Sequence, residues 1–310
     1  MPTASLSIQD EILDLKKRRN AIILAHHYQE DEIQEVADAI GDSLELARKA
    51  QEFKGEVIAF CGVWFMAETA KILNPDSIVV VPDSNAGCSL VDASPVEQVR
   101  AVKKRLPDHA VVSYINTSAA VKAESDIICT SSNAVKVVNS IPAEQPILFL
   151  PDVNLGNWVK KQSGRENIQI WQGACIVHST FAARRLEKAR FEHPKAIVAS
   201  HPECPPAVLD QSDFIGSTSA IIKFCTTHTH DEFIVMTESG VSHSLHKYAP
   251  NKRFYFVPNE NCNCSECPYM KMNSLEKLRD CLDKLEPRVN LPQEIVDRAR
   301  APIERMLAIK

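Results

Sequence analysis

Glycine is scarce in this chain. Nine glycines occur among 310 residues, and none is spaced as G-x-G or as G-x-x-x-x-G-K. Loops of those two kinds cradle the phosphates of dinucleotides and nucleoside triphosphates. The chain also lacks a long basic run, since 35 basic and 40 acidic residues give a net charge of −5. These absences argue against nucleotide-dependent chemistry and against a nucleic-acid partner.

Long apolar stretches are missing as well. The longest, near residues 57–67, is well short of the ~20 residues that a membrane span needs. Residues 1–19 contain no apolar core of the kind that a signal peptide needs. We therefore expect no membrane partner and a cytoplasmic location. The hydrophobic content of 45% is nevertheless enough for a substantial core, and the length suggests two or three domains.

One pattern recurs three times along the chain: an amphipathic helix, a short apolar strand and a polar turn. The first apolar strands begin at residues 21, 110 and 196, at intervals of 89 and 86 residues. In each repeat a second apolar strand, another helix and a third strand follow. Near-continuous apolar strands that alternate with helices predict parallel β-α-β units buried on both faces.

The repeats predict an α/β fold with three pseudo-threefold-related, three-layer α/β/α domains, whose parallel sheets surround a central site. We place the domains at residues 1–90, 91–178 and 179–267, and we expect two helices in residues 268–310 to pack back on the first domain. Ligands bind beyond the carboxyl ends of strands in open α/β sheets. The polar residues expected to converge there are His26, Tyr28, Tyr114, Asn116, His201 and Glu203.

Three of the ten cysteines follow the same period. Cys88, Cys175 and Cys267 close the three repeats, at intervals of 87 and 92 residues. One thiolate from each domain could hold a single metal centre, and cysteine is the usual ligand of iron–sulfur clusters. Three cysteines would leave one iron of a [4Fe-4S] cluster open as a Lewis acid.

The segment around the last of these cysteines allows other interpretations. Cys262, Cys264 and Cys267 resemble a zinc knuckle, although no nearby residue clearly supplies a fourth ligand. Two of these thiols could instead form a redox-active pair. The alternatives are therefore a zinc- or thiol-redox-active small-molecule binding protein, or an aconitase-like hydro-lyase that shares the cluster chemistry.

Serine and threonine follow strands at two equivalent positions and open the next helix. Ser131–Asn133 and Ser217–Ser219 have this pattern, in which free backbone N–H groups and the helix dipole favour a carboxylate or phosphate. Ordinary helix capping would produce the same pattern, and Ser43 likewise resembles a helix N-cap. Recurrence in two repeats favours ligand binding at the first two segments.

The chain resembles the quinolinate synthase family along essentially its whole length. The resemblance implies three domains around a [4Fe-4S] cluster with one iron not bound by cysteine. It also implies condensation of iminoaspartate (iminosuccinate) with dihydroxyacetone phosphate, releasing phosphate and water to give quinolinate for NAD biosynthesis. The motifs that carry it are Ala25-His26-His27-Tyr28-Gln29, Gly41-Asp42-Ser43-Leu44, Tyr114-Ile115-Asn116, Cys129-Thr130-Ser131-Ser132-Asn133, Gly173-Ala174-Cys175-Ile176-Val177-His178, His201-Pro202-Glu203-Cys204, Gly216-Ser217-Thr218 and Cys267-Pro268-Tyr269-Met270.

By this resemblance, Cys88, Cys175 and Cys267 match the family's cluster ligands. The catalytic candidates are Tyr28, Glu203, His26, Tyr114 and His201. The expected substrate-binding residues are His26, Ser43, Tyr114, Ile115, Asn116, Ser131, His178, His201, Pro202, Glu203, Ser217 and Thr218. We expect Glu203 to be the chief general base, with burial moving its pKa toward neutrality.

Two further expectations concern assembly and regulation. The chain is expected to be a monomer or a homodimer, with a possible functional link to the enzyme that supplies iminoaspartate. Some family members carry Cys-x2-Cys-x2-Cys where this chain has Cys262-x-Cys264-x2-Cys267. Redox control described for that triplet therefore does not transfer directly to this chain, whereas the ligand position of Cys267 does.

Overall fold

The computed structural model describes residues 7–259 and 265–309. It contains three parallel sheets of four strands each, and the strands follow the same order in all three. The first strand of each unit lies between the second and the third, and the fourth lies beyond the third. This architecture confirms the α/β class with three sheets flanked by helices, whereas the domain boundaries stay a prediction.

The first sheet has the order β2-β1-β3-β4. Its central strands are apolar and buried because helices cover both faces, as parallel sheets require. The strands are β1 (Ala21–His26), β2 (Ala39–Gly41), β3 (Val57–Cys61) and β4 (Ile78–Val80), and the helices are α1 (Ile8–Arg18), α2 (Asp31–Val36), α3 (Ser43–Glu52) and α4 (Trp64–Leu73).

The second sheet repeats this arrangement with the order β6-β5-β7-β8. Its strands are β5 (Ala110–Tyr114), β6 (Ile127–Cys129), β7 (Ile147–Leu150) and β8 (Ile168–Ile170). The helices of this part of the chain are α5 (Ser89–Asp92), α6 (Val96–Arg105), α7 (Ala119–Lys122), α8 (Ala134–Asn139) and α9 (Val153–Ser163).

The third sheet has the order β10-β9-β11-β12. A 3₁₀ turn at His178–Thr180 precedes it, and a second one at Met270–Met272 follows it. The strands are β9 (Ile197–Ser200), β10 (Phe214–Ile215), β11 (Glu232–Met236) and β12 (Arg253–Phe256), and the helices are α10 (Ala183–Glu192), α11 (Pro206–Leu209), α12 (Thr218–Thr227) and α13 (Val241–Tyr248).

Two helices end the described chain, α14 (Leu275–Lys284) and α15 (Gln293–Ala308). α14 packs against α1 and β3 of the first sheet's layers, whereas α15 contacts α4 as well as α7 and β6. The last helix thus bridges the first and second sheets. Within residues 7–259 and 265–309, none of the helices is long and apolar enough to cross a membrane.

Each repeat anchors its first strand with an aspartate. The carboxylates of Asp38, Asp126 and Asp213 each accept a hydrogen bond from a backbone N–H fifteen residues earlier in the chain. The donors are Ile23 at 2.8 Å, Val111 at 2.7 Å and Val198 at 2.9 Å. These bonds lie near the amino ends of the strands and are a structural signature of the repeat.

We predict that Asp126→Ala or Asp213→Ala lowers the free energy of unfolding by about 1–2 kcal/mol, because a backbone N–H of a buried residue loses an anionic acceptor. Asparagine at either position keeps one acceptor oxygen and should cost less. Urea denaturation followed by circular dichroism measures both effects. An alanine variant that unfolds at the wild-type urea concentration would show that the anchor contributes nothing.

Candidate functional site

The carboxyl ends of all three sheets border one cavity. His26 ends β1, Tyr114 ends β5, and His201 directly follows β9, so each repeat places a ring at the same edge of its sheet. The predicted site residues that line the cavity are His26, Tyr28, Ser43, Cys88, Tyr114, Asn116, Ser131, Cys175, His178, His201, Glu203, Thr218 and Cys267.

Three other predicted substrate contacts lie outside the cavity lining. Ile115 and Pro202 are buried, each within a polar turn whose neighbouring residues do reach the cavity. Ser217 is the N-cap of α12, and its Oγ accepts a hydrogen bond from the N–H of Ala220 at 3.3 Å. Capping therefore accounts for Ser217, whereas the next residue, Thr218, reaches the cavity.

Ser43 does not cap its helix. The N-cap of α3 is Asp42, whose Oδ1 accepts from the N–H groups of Leu44 at 3.0 Å and Glu45 at 3.2 Å. The Glu45 carboxylate accepts in turn from the N–H of Asp42, which completes a capping box. The prediction that Ser43 is the N-cap is therefore wrong, because the preceding residue, Asp42, caps the helix. The Ser43 side chain lines the cavity instead.

Glu203 is the buried acidic centre of the cavity, with 2% of its surface exposed. The Tyr114 hydroxyl donates to its Oε1 at 2.5 Å, and His178 Nδ1 lies 2.9 Å from its Oε2. Burial by itself would raise the pKa of Glu203, but the positive charge that His178 and His201 can carry and these two hydrogen bonds lower it below its usual value. The expectation that burial would move this pKa toward neutrality is therefore wrong. The lowered pKa favours the carboxylate form of Glu203 at neutral pH.

A chain of hydrogen bonds runs from Glu203 across the cavity wall. His178 Nε2 lies 2.9 Å from Thr237 Oγ1, and the Tyr28 hydroxyl lies 2.9 Å from the same oxygen. The Tyr28 hydroxyl is also 2.7 Å from Thr218 Oγ1. Thr237 belongs to none of the motifs found in the sequence, although its position directly after β11 indicates that it lies at this edge of the sheet.

His26 and His201 have the same local geometry in two repeats. The Nδ1 atom of His26 accepts from the N–H of Tyr28 at 3.2 Å, and the Nδ1 atom of His201 accepts from the N–H of Glu203 at 3.4 Å. An accepting Nδ1 leaves the proton of the neutral ring on Nε2. Burial lowers the pKa of His201 to about 3 and that of His26 well below its usual value. Both rings are therefore neutral Nε2–H donors.

Cationic side chains are absent from the cavity lining in the part of the chain that the structure describes. Lys122 is a nearby buried cation, and it lies behind the Phe65 ring, 5.3 Å from its centroid. Its Nζ donates to the Thr117 carbonyl. Burial lowers the pKa of Lys122 to about 8, although the Glu68 carboxylate opposes that change. The cavity thus offers mainly neutral donors to a ligand.

The cavity also has an apolar wall, which was not predicted from the sequence. Val63, Phe65 and Met66 come from the start of α4, and Met270 comes from the turn after the last repeat. In the sequence, the segment around α4 was recognisable only as the helix between the second and third strands of the first repeat. Apolar contacts of this kind exclude water and strengthen the polar interactions beside them.

The three cysteines that close the repeats meet at this cavity. Cys88, Cys175 and Cys267 are free thiols, and each is partly exposed. Burial raises the pKa of Cys88 to about 12 and that of Cys267 to about 11, and it raises the pKa of Cys175 as well. The negative charges of Glu203 and of neighbouring thiolates add to the rise of the pKa at Cys175 and Cys88. A thiophilic cation would offset that repulsion, so the donor set fits a cluster of iron and sulfide.

Another group of possible metal ligands overlaps this one. Ligand atoms of Cys175, His178 and Glu203 lie within 4.8 Å of one another. His178 and Glu203 already hydrogen-bond to each other, which makes them a polar pair beside the thiol rather than free ligands. The proposed zinc knuckle and redox pair involve Cys262 and Cys264, which lie outside the described residues.

The chain is similar in sequence to known proteins along nearly its whole length. A family model described as Quinolinate synthetase A protein matches residues 10–308. A quinolinate synthase of Prochlorococcus marinus strain MIT 9303 is 50% identical over 100% of this chain and 93% of the relative. Those of Nostoc sp. strain PCC 7120 and Gloeothece citriformis strain PCC 7424 are 52% and 53% identical over 96% and 95% of this chain, and over 91% of each relative. The chain therefore belongs to the quinolinate synthase family.

Proposed function

We propose that this cavity condenses iminoaspartate with dihydroxyacetone phosphate, releasing phosphate and water to form quinolinate for NAD biosynthesis. The observation that carries the proposal is the meeting of one thiol from each repeat with a buried, hydrogen-bonded carboxylate in a single cavity. Such a site can hold an electrophilic metal centre next to a general base, which a condensation followed by dehydration requires.

The proposed cofactor is a [4Fe-4S] cluster held by Cys88, Cys175 and Cys267. When bound, it supplies an open iron that acts as a Lewis acid toward substrate oxygens. The position of all three cysteines in the lining of one cavity supports this donor set. The alternative knuckle shares Cys267 with the cluster, so the two proposals compete for one ligand.

Both substrates are anions, and the residues proposed to bind them are neutral donors. His26 and His201 present Nε2–H groups, and Ser43, Ser131 and Asn116 add hydroxyl and amide donors. His201 Nε2 already lies 3.2 Å from Ser131 Oγ, so the two can share one anionic oxygen. At the start of the ten-residue helix α12, Thr218 adds the favourable end of a helix dipole.

Proton transfer is assigned to Glu203 and the hydrogen-bond chain that leads away from it. Glu203, an acceptor at neutral pH, removes a proton from a substrate carbon. The chain through His178 and Thr237 links it to Tyr28 in the first repeat. A leaving hydroxyl on the other side of the cavity can receive a proton from Tyr28, and Tyr114 orients the base.

We also propose a cytoplasmic location and a monomer or homodimer. A functional link to the enzyme that supplies iminoaspartate is part of the same proposal. Small molecules are the proposed partners, in keeping with a negative net charge and a buried site.

We predict that anaerobically purified protein is brown and contains about four iron and four sulfide per chain, because the three thiols hold one cluster. Replacement of Cys88, Cys175 or Cys267 by alanine should remove most of this iron. Cys225→Ala is the matched control, since Cys225 is buried in the third repeat away from the cavity. A colourless protein with one zinc per chain would instead support a zinc knuckle formed by Cys262, Cys264 and Cys267.

Glu203→Gln should reduce quinolinate formation by about 100-fold or more, because an amide cannot take up the substrate proton. Iron content and the absorption spectrum should stay normal. The control is Glu187→Gln on the exposed face of α10, which should keep full activity. Retention of wild-type turnover by the Glu203 variant would remove this residue from the role of base.

Thr237→Val should lower turnover by on the order of 10-fold with little effect on iron content, because it removes the hydroxyl that joins His178 to Tyr28 while keeping the side-chain shape. Thr226→Val is a matched control, since the Thr226 hydroxyl bonds only to carbonyls of its own helix α12. Equal activities of the two variants would contradict a relay through Thr237.

A further inference from the structure

Two buried carboxyl groups have no role in the proposed reaction. Asp152 and Glu238 have no exposed surface, and neither lines the cavity. They occupy equivalent positions in two repeats. Asp152 lies two residues after the end of β7, and Glu238 lies two residues after the end of β11, the strand with the same place in the third sheet.

Asp152 connects the end of its strand to a cysteine of the cavity. Its Oδ1 accepts from the N–H of Leu155 at 2.7 Å and thereby caps α9. Its Oδ2 accepts from the N–H of Cys175 at 3.1 Å. The chain before that cysteine is tightly packed, since a Cβ at Gly173 would lie 2.6 Å from the Pro151 carbonyl oxygen.

Glu238 makes the same connection in the third repeat. Its Oε2 accepts from the N–H of Gly240 at 2.7 Å, two residues along its own chain. Its Oε1 accepts from the N–H of Cys267 at 3.0 Å. Lys271 Nζ lies 3.8 Å from the same oxygen and supplies a partial counter-charge.

The first repeat differs at this position. The residue two places after the end of β3 is Val63, which has no side-chain acceptor. The backbone N–H groups of two of the three cysteines are therefore bonded to carboxyl oxygens. This carboxyl–cysteine hydrogen bond is specific to the second and third repeats.

Burial of a carboxyl group is costly unless its oxygens are hydrogen-bonded. In both cases one bond secures the local chain and the other goes to a cysteine that the proposed function makes a cluster ligand. Because carboxyl oxygens carry lone pairs in either protonation state, acceptance of these N–H bonds does not depend on the charge of the group. A purely structural role would not require that the second donor be a cysteine in both repeats.

We propose that Asp152 and Glu238 are positioning residues that hold the N–H groups of Cys175 and Cys267 away from the cluster sulfurs and so keep the cluster in its oxidised form. The inference rests on the proposed cluster.

The physical basis is the effect of hydrogen bonds on iron–sulfur centres. An N–H donated to a cluster sulfur stabilises the extra negative charge of the reduced form and raises the reduction potential. A carboxyl oxygen that captures the N–H prevents this stabilisation. The proposed reaction forms quinolinate with release of only phosphate and water, so it transfers no net electrons. A low potential therefore keeps the centre available as a Lewis acid.

The test compares Asp152→Asn and Glu238→Gln with Asp126→Asn and Asp213→Asn. All four replace a hydrogen-bonded carboxyl by an amide in the second or third repeat, but the controls act at the opposite ends of the sheets. An amide has only one acceptor oxygen, so each test variant leaves one of two N–H groups without its acceptor. The measurements are the midpoint potential of the anaerobic holoprotein and the rate of iron loss to a chelator.

We expect both test variants to bind about four iron and to show a more positive midpoint potential than wild type. Chelator-driven iron loss should be about 10-fold faster, as is typical when a partner of a metal ligand is removed. Both controls should match wild type in both measurements. The second and third repeats each carry one such carboxyl group, so Glu238→Gln alone decides the result if Asp152→Asn does not fold.

Unchanged potentials in iron-loaded test variants would overturn the inference and leave the proposed function intact. The same would follow if controls and test variants shifted equally, since that pattern indicates general destabilisation. Wild-type protein that binds no iron would overturn the proposed cluster, and the inference with it.

Discussion

The carboxyl ends of three parallel sheets meet at one cavity, and the chemistry of the molecule depends on this convergence. In a parallel sheet all strands end at the same edge, so each repeat contributes its polar turns to that edge. A single sheet could offer one such row of residues. Three sheets surround the cavity, and they bring His26, Tyr114 and His201 together from positions that are far apart in the chain. Repetition of one supersecondary unit thereby produces a site that none of the units contains alone.

Burial determines the electrostatic character of this site. Burial favours the neutral form of His26 and His201, and their backbone contacts direct the remaining ring proton toward the cavity. The carboxylate form of Glu203 is favoured by the charge that His178 and His201 can carry and by the hydrogen bonds that His178 and Tyr114 donate to its two oxygens. A low dielectric surrounding makes each of these bonds stronger than it would be in water. Neutral donors around one anionic base can bind anionic substrates without neutralising the base. A nearby lysine or arginine would neutralise it.

The repeated fold, the strand ends and most residues around the cavity could be predicted from the sequence, since apolar strands recur at a regular period and polar turns follow them. Residues whose roles depend on short-range geometry could not be predicted from the sequence. Asp42 and Ser43 are both good N-cap residues, and only the backbone of α3 shows that the aspartate takes the cap. Thr237 joins two side chains from different repeats, a contact that no local pattern encodes.

The sequence by itself determined the class of fold and the residues available for chemistry. The periodic pattern of apolar residues is a local property, because each strand and helix must bury one or both of its faces. Only the tertiary structure decided the protonation state of Glu203 and the partners of Asp152 and Glu238. These depend on which groups become close in space after three sheets pack together, and on how much water that packing removes. Distances between residues about a hundred positions apart are set by the packing of whole layers, so they are absent from any local stretch of sequence.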